Sequence, residues 1–384
     1  MMAHGRDPAA RPMMTRCIVH IGMHRTGSTS IQHSLRGFSD SRFSYAQLGD
    51  DPNHSLAMYS LFASEPERHP IHRRNGTDTV GVSDFIGRIR ADLEQAVSAA
   101  KGRTLVISGE DIGSLPRDGL VKLRDDFEKR FEDVTLVGYI RPLAGLMTSV
   151  FQHRVRIGDT NGFDLERQYR PYKGTFGRFD EVFGQDRVNL WKFDVGSFPG
   201  RCAVQDFCAR LGIDLPSERI VRLNESLPRQ AVGLLYTYNK LGPHGAMLMN
   251  GLERQKLVDL LATIGNDPFR ISVDVVKPIL ERNRADIAWM ETRLGQALDE
   301  DLRDQLSGDV RGDTDLLSCD PIVTGKLLAL LGDKAPIDVN GRTPQEIAQL
   351  VDALRHAGRE RGKGPQSRRG QFGRLLALVQ NLLR

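Results

Sequence analysis

Cysteine is scarce in this chain: Cys17, Cys202, Cys208 and Cys319 are the four such residues among 384. None forms a CxxC pair, and their density is far below that of a disulfide-stapled secreted domain, so buried reduced thiols are expected. Long apolar runs are missing too. No stretch approaches the roughly 20 residues of a membrane-spanning helix, and the opening MMAHGRDPAARPMMTR has no signal-peptide core. Net charge is only +4, too mild for a nucleic-acid binder, although anionic small molecules remain natural partners. These absences imply a soluble protein of a reducing compartment such as a bacterial cytoplasm.

What the chain does have is 40% hydrophobic residues, enough for one large domain with an extension or for two modest ones. Residues 1–15 read as a disordered leader. Short apolar runs at 16–21 (RCIVHI), 104–108 (TLVIS), 134–140 (VTLVGYI) and 188–193 (VNLWKF) read as buried strands. Between them, Phe85, Ile89, Leu93 and Val97 recur every four residues, and Leu120, Leu123, Phe127 and Phe131 every three or four. Alternating strands and helices predict an α/β fold with a central parallel sheet covered on both faces, whose ligands gather at the carboxyl ends of the strands. Residues 40–82 are poorer in pattern and read as an insertion with a short helix near 56–62. From about 199 the chain turns helical, with helices expected at 201–211, 229–240, 252–264 and 277–294. The main domain is thus expected over 16–300, with a helical extension over 301–384 in which Thr343, Pro344 and Glu346 open a well-capped helix.

The first run ends in VHIGMHRTGSTSIQ. Gly22, Gly27 and Thr29 keep the spacing of a P-loop, but Ser28 stands where the phosphate lysine of GxxxxGK[ST] belongs. The two glycines let amide N–H groups turn inward on a phosphate, and the following helix adds its positive end. Thr29 and Ser30 supply hydroxyls on the first turn, and the loop's cation has moved to Arg25. This resembles the 5′-phosphosulfate loop of sulfotransferases, a [KR]xGT[TS] core that here reads Arg25, Thr26, Gly27, Ser28, Thr29, with His24 just before it. The resemblance implies a P-loop-type three-layer fold and places Arg25 on the oxygen bridging phosphate and sulfonate.

A second motif lies in YIRPLAGLMTSVFQ, where Arg141 leaves a strand and Ser149 follows eight residues later. It is similar to the 3′-phosphate motif of the same family, in which an arginine and a serine grip the ribose 3′-phosphate; a planar guanidinium suits that task. Together the motifs imply 3′-phosphoadenosine 5′-phosphosulfate (PAPS) as co-substrate. The donor set expected from them is Gly22, His24, Arg25, Thr26, Gly27, Ser28, Thr29, Ser30, Arg141 and Ser149. Glu110, just past the third strand, resembles the glutamate base of carbohydrate sulfotransferases, with His24, His54, His72 and His153 as competing bases. No acid ends that strand as a magnesium site would ask, and no catalytic metal is expected.

The resemblance spans roughly residues 17–227 in the style of bacterial carbohydrate-type enzymes, and implies a hydroxyl of a saccharide or glycolipid as acceptor. Ser30 takes the place of the tryptophan that helps hold adenine in aryl and steroid enzymes, and the RKGxxGDWKxxFT signature of those enzymes is absent. The closing FGRLLALVQNLLR gathers Phe372, Leu375, Leu376, Val379, Leu382 and Leu383 on one helical face beside arginines. Such a segment packs on its own domain or a second subunit, or lies on an anionic membrane surface. A P-loop kinase and a catalytically inactive nucleotide-binding descendant are the rival readings.

Overall fold

The computed structural model describes residues 15–159, 161–223, 226–243, 251–300, 309–317 and 319–360. The leader and the tail with its apolar face therefore lie outside the described residues. The chain forms two compact units, one of Met1–Val150, Leu165–Glu225 and Val273–Gln305, the other of Phe151–Asp164, Ser226–Ser272 and Leu306–Arg384.

Five strands run along the chain: β1 (Arg16–His20), β2 (Phe43–Tyr45), β3 (Thr104–Ser108), β4 (Asp133–Ile140) and β5 (Val188–Lys192). The helices of the first half are α1 (Ser28–Leu35), α2 (Ser55–Phe62), α3 (Pro70–Asn75), α4 (Thr79–Ala99), α5 (Arg117–Phe127), α6 (Leu143–Ile157), α7 (Tyr172–Phe183) and α8 (Ala203–Leu211). Those that follow are α9 (Arg229–Leu241), α10 (Gly251–Leu261), α11 (Val273–Arg282), α12 (Arg284–Leu294), α13 (Asp313–Leu316), α14 (Pro321–Leu331) and α15 (Pro344–Glu360).

The first unit is an α/β layer structure around one parallel sheet of strand order β2-β3-β1-β4-β5. β1 sits between β3 and β4, with Val19 opposite Ile107 on one side and Leu136 on the other. Cys17, Val19 and His20 are buried and Ile18 is half-buried, so both faces of the strand are covered. On one face Ile31 and Leu35 of α1 and Val204 and Phe207 of α8 pack with Val106, Val137 and Tyr139 of the sheet. The Tyr139 hydroxyl donates to Asp206 at 2.6 Å, and Arg210 donates to the same carboxylate. Because the chain leaves β1 toward β2 but must jump across β1 from β3 to reach β4, the crevice at the carboxyl end of β1 is the point where ligands of open α/β sheets bind.

Residues 40–82 carry the short helix expected near 56–62, as α2, and also the edge strand β2, whose three residues are too few to show an alternation. One expectation is corrected. The helix expected over 277–294 is two helices, because Asn283 Nδ2 donates to the Ile279 carbonyl at 2.8 Å and competes with the helical ladder. Of the cysteines, Cys17, Cys202 and Cys208 are buried free thiols and Cys319 is a half-buried one.

In the second unit α9 packs along α15, and the Tyr238 hydroxyl donates to Asp352 at 2.7 Å. Arg355 is buried between Glu253 (2.7 Å) and Asp352 (2.9 Å), while Arg254 donates to Asn239 Oδ1 and to the carbonyls of Val155 and Arg156. The expected cap of α15 is present: Glu346 accepts from the N–H of Arg342 and Thr343, and its own N–H donates to Thr343 Oγ1. Among the described residues no helix is long and apolar enough to cross a membrane.

Candidate active site

The loop between β1 and α1 is built by the sheet itself. The β1–β4 ladder continues past the strand: Ile21 N–H donates to Val137 O (2.9 Å), Met23 N–H to Tyr139 O (3.1 Å), and Tyr139 N–H to Gly22 O (2.7 Å). Gly22 has φ 93° and Gly27 φ 81°, both in the left-handed region that favours glycine. A Cβ on Gly22 would stand 2.9 Å from the Cβ of Glu110, and one on Gly27 would stand 2.8 Å from the Cβ of Ala203. Arg25 also takes a positive φ, 67°. Inside the bend, Thr26 Oγ1 donates to Met23 O at 2.6 Å and Ser28 Oγ to the same carbonyl at 3.4 Å. These two hydroxyls hold the loop's shape. Ser30 Oγ exchanges hydrogen bonds with the N–H (3.0 Å) and carbonyl (3.3 Å) of Leu223, so it fastens α1 to that segment. Thr29 stands half-buried on the first turn.

The second motif meets this loop directly. Arg25 Nε donates to Ser149 Oγ at 3.1 Å, and Arg141 Nη1 donates to the carbonyl of Arg25 at 2.7 Å. Gly145 and Ser149, four residues apart, share one face of α6, and Arg141 lies just before the helix. Arg141 is held from behind: its carbonyl accepts from the Tyr172 hydroxyl at 2.6 Å, and its guanidinium lies over the Phe193 ring, 5.3 Å from the centroid. Asp286 of α12 fixes Tyr172 in turn by accepting the N–H groups of Tyr172 (2.7 Å) and Lys173 (2.9 Å) at the start of α7. Burial pushes the Arg141 guanidinium below the ordinary arginine range, with the Glu300 carboxylate opposing that shift. The proline follows Arg141 immediately, one position earlier than in the sulfotransferase pattern RxPxxxxxS, and α6 still begins at Leu143.

The third group is Glu110, whose Cβ lies against the bare Cα of Gly22. Gln32 Nε2 of α1 donates to Glu110 Oε2 at 2.9 Å, and Asn53 Nδ2 lies 3.5 Å from Oε1. Next to it Asp111 accepts from two imidazoles, His24 Nε2 at 2.9 Å and His69 Nε2 at 3.1 Å. Burial opposes protonation of His24, but the Asp111 hydrogen bond and charge prevail and its pKa rises above the ordinary histidine value. Burial opposes ionisation of Asp111 as well, yet the two imidazoles hold its carboxyl well below the usual range.

The other histidines divide clearly. Burial brings His54 down to about 3, and its Nδ1 accepts the Ser108 N–H at 3.1 Å, so it is a neutral part of the core. His72 is buried against Ser60 Oγ at 2.9 Å, and His153 belongs to the second unit. Burial also lowers His20 to about 4; its Nδ1 shares a hydrogen bond with Ser108 Oγ. Sequence reasoning missed Gln32, Asn53, His69 and Asp111. Their common signal was only that polar side chains recur on segments facing the end of β3.

Arg25, Arg141 and Ser149 are joined by hydrogen bonds, and Glu110 lies against Gly22 of the same loop, all at the carboxyl ends of β1, β3 and β4 in the first unit. The site offers two guanidinium groups, the N-terminus of α1 and a carboxylate, an arrangement able to bind an anion and accept a proton beside it. No family model matches the chain, and no curated protein matches it in sequence. Among solved structures it is similar to a sulfotransferase from Alicyclobacillus acidocaldarius, at 12% identity over 75% of this chain and 97% of that one, with a TM-score of 0.37. It is also similar to the sulfotransferase domain of the olefin synthase of Synechococcus PCC 7002, at 15% identity over 58% and 82%, with a TM-score of 0.34. At those scores the likeness carries no functional weight, and the side chains of the crevice have to carry it.

Proposed function

We propose that the chain is a sulfotransferase that moves the sulfonate of PAPS to a hydroxyl of a saccharide or glycolipid. The observation that carries the reading is the meeting of the two phosphate motifs: Arg25 bonds Ser149, and Arg141 bonds Arg25, although the loop and the α6 motif are more than a hundred residues apart in sequence. In this reading the amides of the Gly22–Gly27 loop and the first turn of α1 hold the 5′-phosphate, and Arg141 with Ser149 takes the 3′-phosphate. Of the expected hydroxyl donors, Thr26, Ser28 and Ser30 serve the loop and its neighbours, which leaves Thr29 to the ligand.

Transfer then needs little covalent work from the protein. The acceptor oxygen forms a bond to sulfur as the bond from sulfur to the bridging oxygen breaks, in line, and adenosine 3′,5′-bisphosphate leaves. Arg25 is the cation beside the bridging oxygen, where negative charge grows. Glu110, oriented by the amide donors Gln32 and Asn53, takes the acceptor's proton. The test compares thermal stabilisation by adenosine 3′,5′-bisphosphate with that by ATP and magnesium, because stabilisation tracks affinity. Protection by the bisphosphate, with sulfonate transfer from PAPS abolished in Arg25→Ala, supports the reading. Protection by ATP and magnesium alone selects a kinase, and bisphosphate binding without turnover on any glycan selects an inactive descendant.

A further inference from the structure

Glu300 stands where the proposed donor site should be open to solvent. Its Oε1 accepts the N–H of Gly145 at 2.7 Å, and the Ala144 N–H also favours its charged form. Gly145 shares a face of α6 with Ser149 and lies near the Arg141 side chain, and it has no side chain to keep the carboxylate off. A Cβ there would stand 2.5 Å from Glu300 Oε1 and 3.4 Å from Arg141 Nε. The carboxylate and the guanidinium therefore face each other across the bare Cα of Gly145. The preceding residue is anchored as well: Lys192 Nζ, at the end of β5, donates to Asp299 Oδ1 at 2.9 Å and to its carbonyl at 3.1 Å.

A helix N-terminus with a half-buried arginine beside it suits an anion, and here it already holds one supplied by the chain. We propose that Glu300 is an internal competitor for the 3′-phosphate subsite, bonded to the first amides of α6 beside Arg141 until a nucleotide bearing a 3′-phosphate displaces it. The inference rests on the donor reading given above. Two like-charged groups cannot share the subsite, because a phosphate set beside the Glu300 carboxylate on one guanidinium would meet strong repulsion. Burial raises the Glu300 pKa, and the amides of Gly145 and Ala144 and the charge of Arg141 offset that only in part. A nucleotide without the 3′-phosphate does not need the subsite and leaves Glu300 in place. Affinity for the bisphosphate is therefore reduced by the fraction of molecules in which the subsite is filled.

The test is isothermal titration of the full chain with adenosine 3′,5′-bisphosphate and, separately, with 5′-AMP, for the wild type, Glu300→Gln and Glu300→Ala. Glutamine keeps the shape without the charge, and alanine removes both. The expected result is a gain of about tenfold in bisphosphate affinity in both variants, with AMP affinity unchanged. Equal bisphosphate affinity in all three proteins overturns the competitor role while leaving the donor reading intact, as does an AMP gain as large as the bisphosphate gain. Failure of the bisphosphate to bind any of the three overturns the donor reading itself, and the competitor role with it.

Discussion

Arg25 and Ser149 are 124 residues apart in sequence and share a hydrogen bond of 3.1 Å. One belongs to the loop after β1 and the other to the second turn of α6, and Arg141 closes the triangle through the Arg25 carbonyl. Arg25 thus meets the α6 motif through its side chain and its main chain at once, and in the proposed reading a phosphate exchanges the Arg25–Ser149 bond for bonds to its own oxygens.

Removing one corner of that triangle is expected to separate binding from chemistry. Arg141→Ala should weaken adenosine 3′,5′-bisphosphate by about 1.5–3 kcal/mol, the range for a hydrogen bond to a charged group, with little change for AMP. Arg25→Ala should lower the rate of sulfonate transfer more than it weakens the bisphosphate. Titration calorimetry and single-turnover transfer from PAPS check the two halves.

Glu110→Gln should lower the transfer rate by a factor of about 10² to 10⁴, the usual contribution of a general base, while bisphosphate affinity stays within error. Gln32→Ala should give a smaller loss in the same direction, because it frees the Glu110 carboxylate without removing it. An unchanged rate in Glu110→Gln would move the base to the His24–Asp111 pair.

The His24–Asp111 pair predicts a pH signature. The folded pKa of His24 is raised, so its contribution to stability is complete below the unfolded histidine value. That contribution is lost as pH rises through the raised folded value. Asp111→Asn should therefore lower the His24 pKa and flatten the stability profile in that window. NMR titration of the His24 ring and denaturation at a series of pH values provide the readings.

Much of this site was legible in the sequence, and the reasons are specific. β1, β3 and β4 are continuous apolar runs because both faces of the sheet are covered, and the glycines and arginine after them mark the chain leaving the sheet. β2 was hidden because three residues cannot show a period. The fate of Ser30 was hidden because which side of α1 faces the 217–223 segment depends on packing, not on local spacing. Glu300 left no local signal, since its partner Gly145 is 155 residues away and reads there as an ordinary helix residue.

Loop geometry can be tested through Gly27. Its φ of 81° and the 2.8 Å approach to the Ala203 Cβ mean that Gly27→Ala adds both strain and a clash, with a loss of about 1–3 kcal/mol expected. Adding Ala203→Gly should restore part of that stability by removing the clash, but not the part due to φ. Chemical denaturation of the single and double variants measures both.

In the second unit, the buried Arg355 is held by Glu253 at 2.7 Å and Asp352 at 2.9 Å. Glu253→Ala strips one partner from a charge that has no solvent, and a loss of about 3–5 kcal/mol is expected in denaturant unfolding. A Glu253→Gln variant, which keeps an oxygen acceptor, should lose less.

The ladder that carries Gly22 and Met23 onto Tyr139 makes a caliper of the loop and the strand bearing Arg141. In the proposed reading these jaws are the two phosphate grips, and main-chain bonds rather than side chains set the span between them. A ligand of the wrong reach would then gain one grip at most, and molecular length would become a criterion of selection alongside charge.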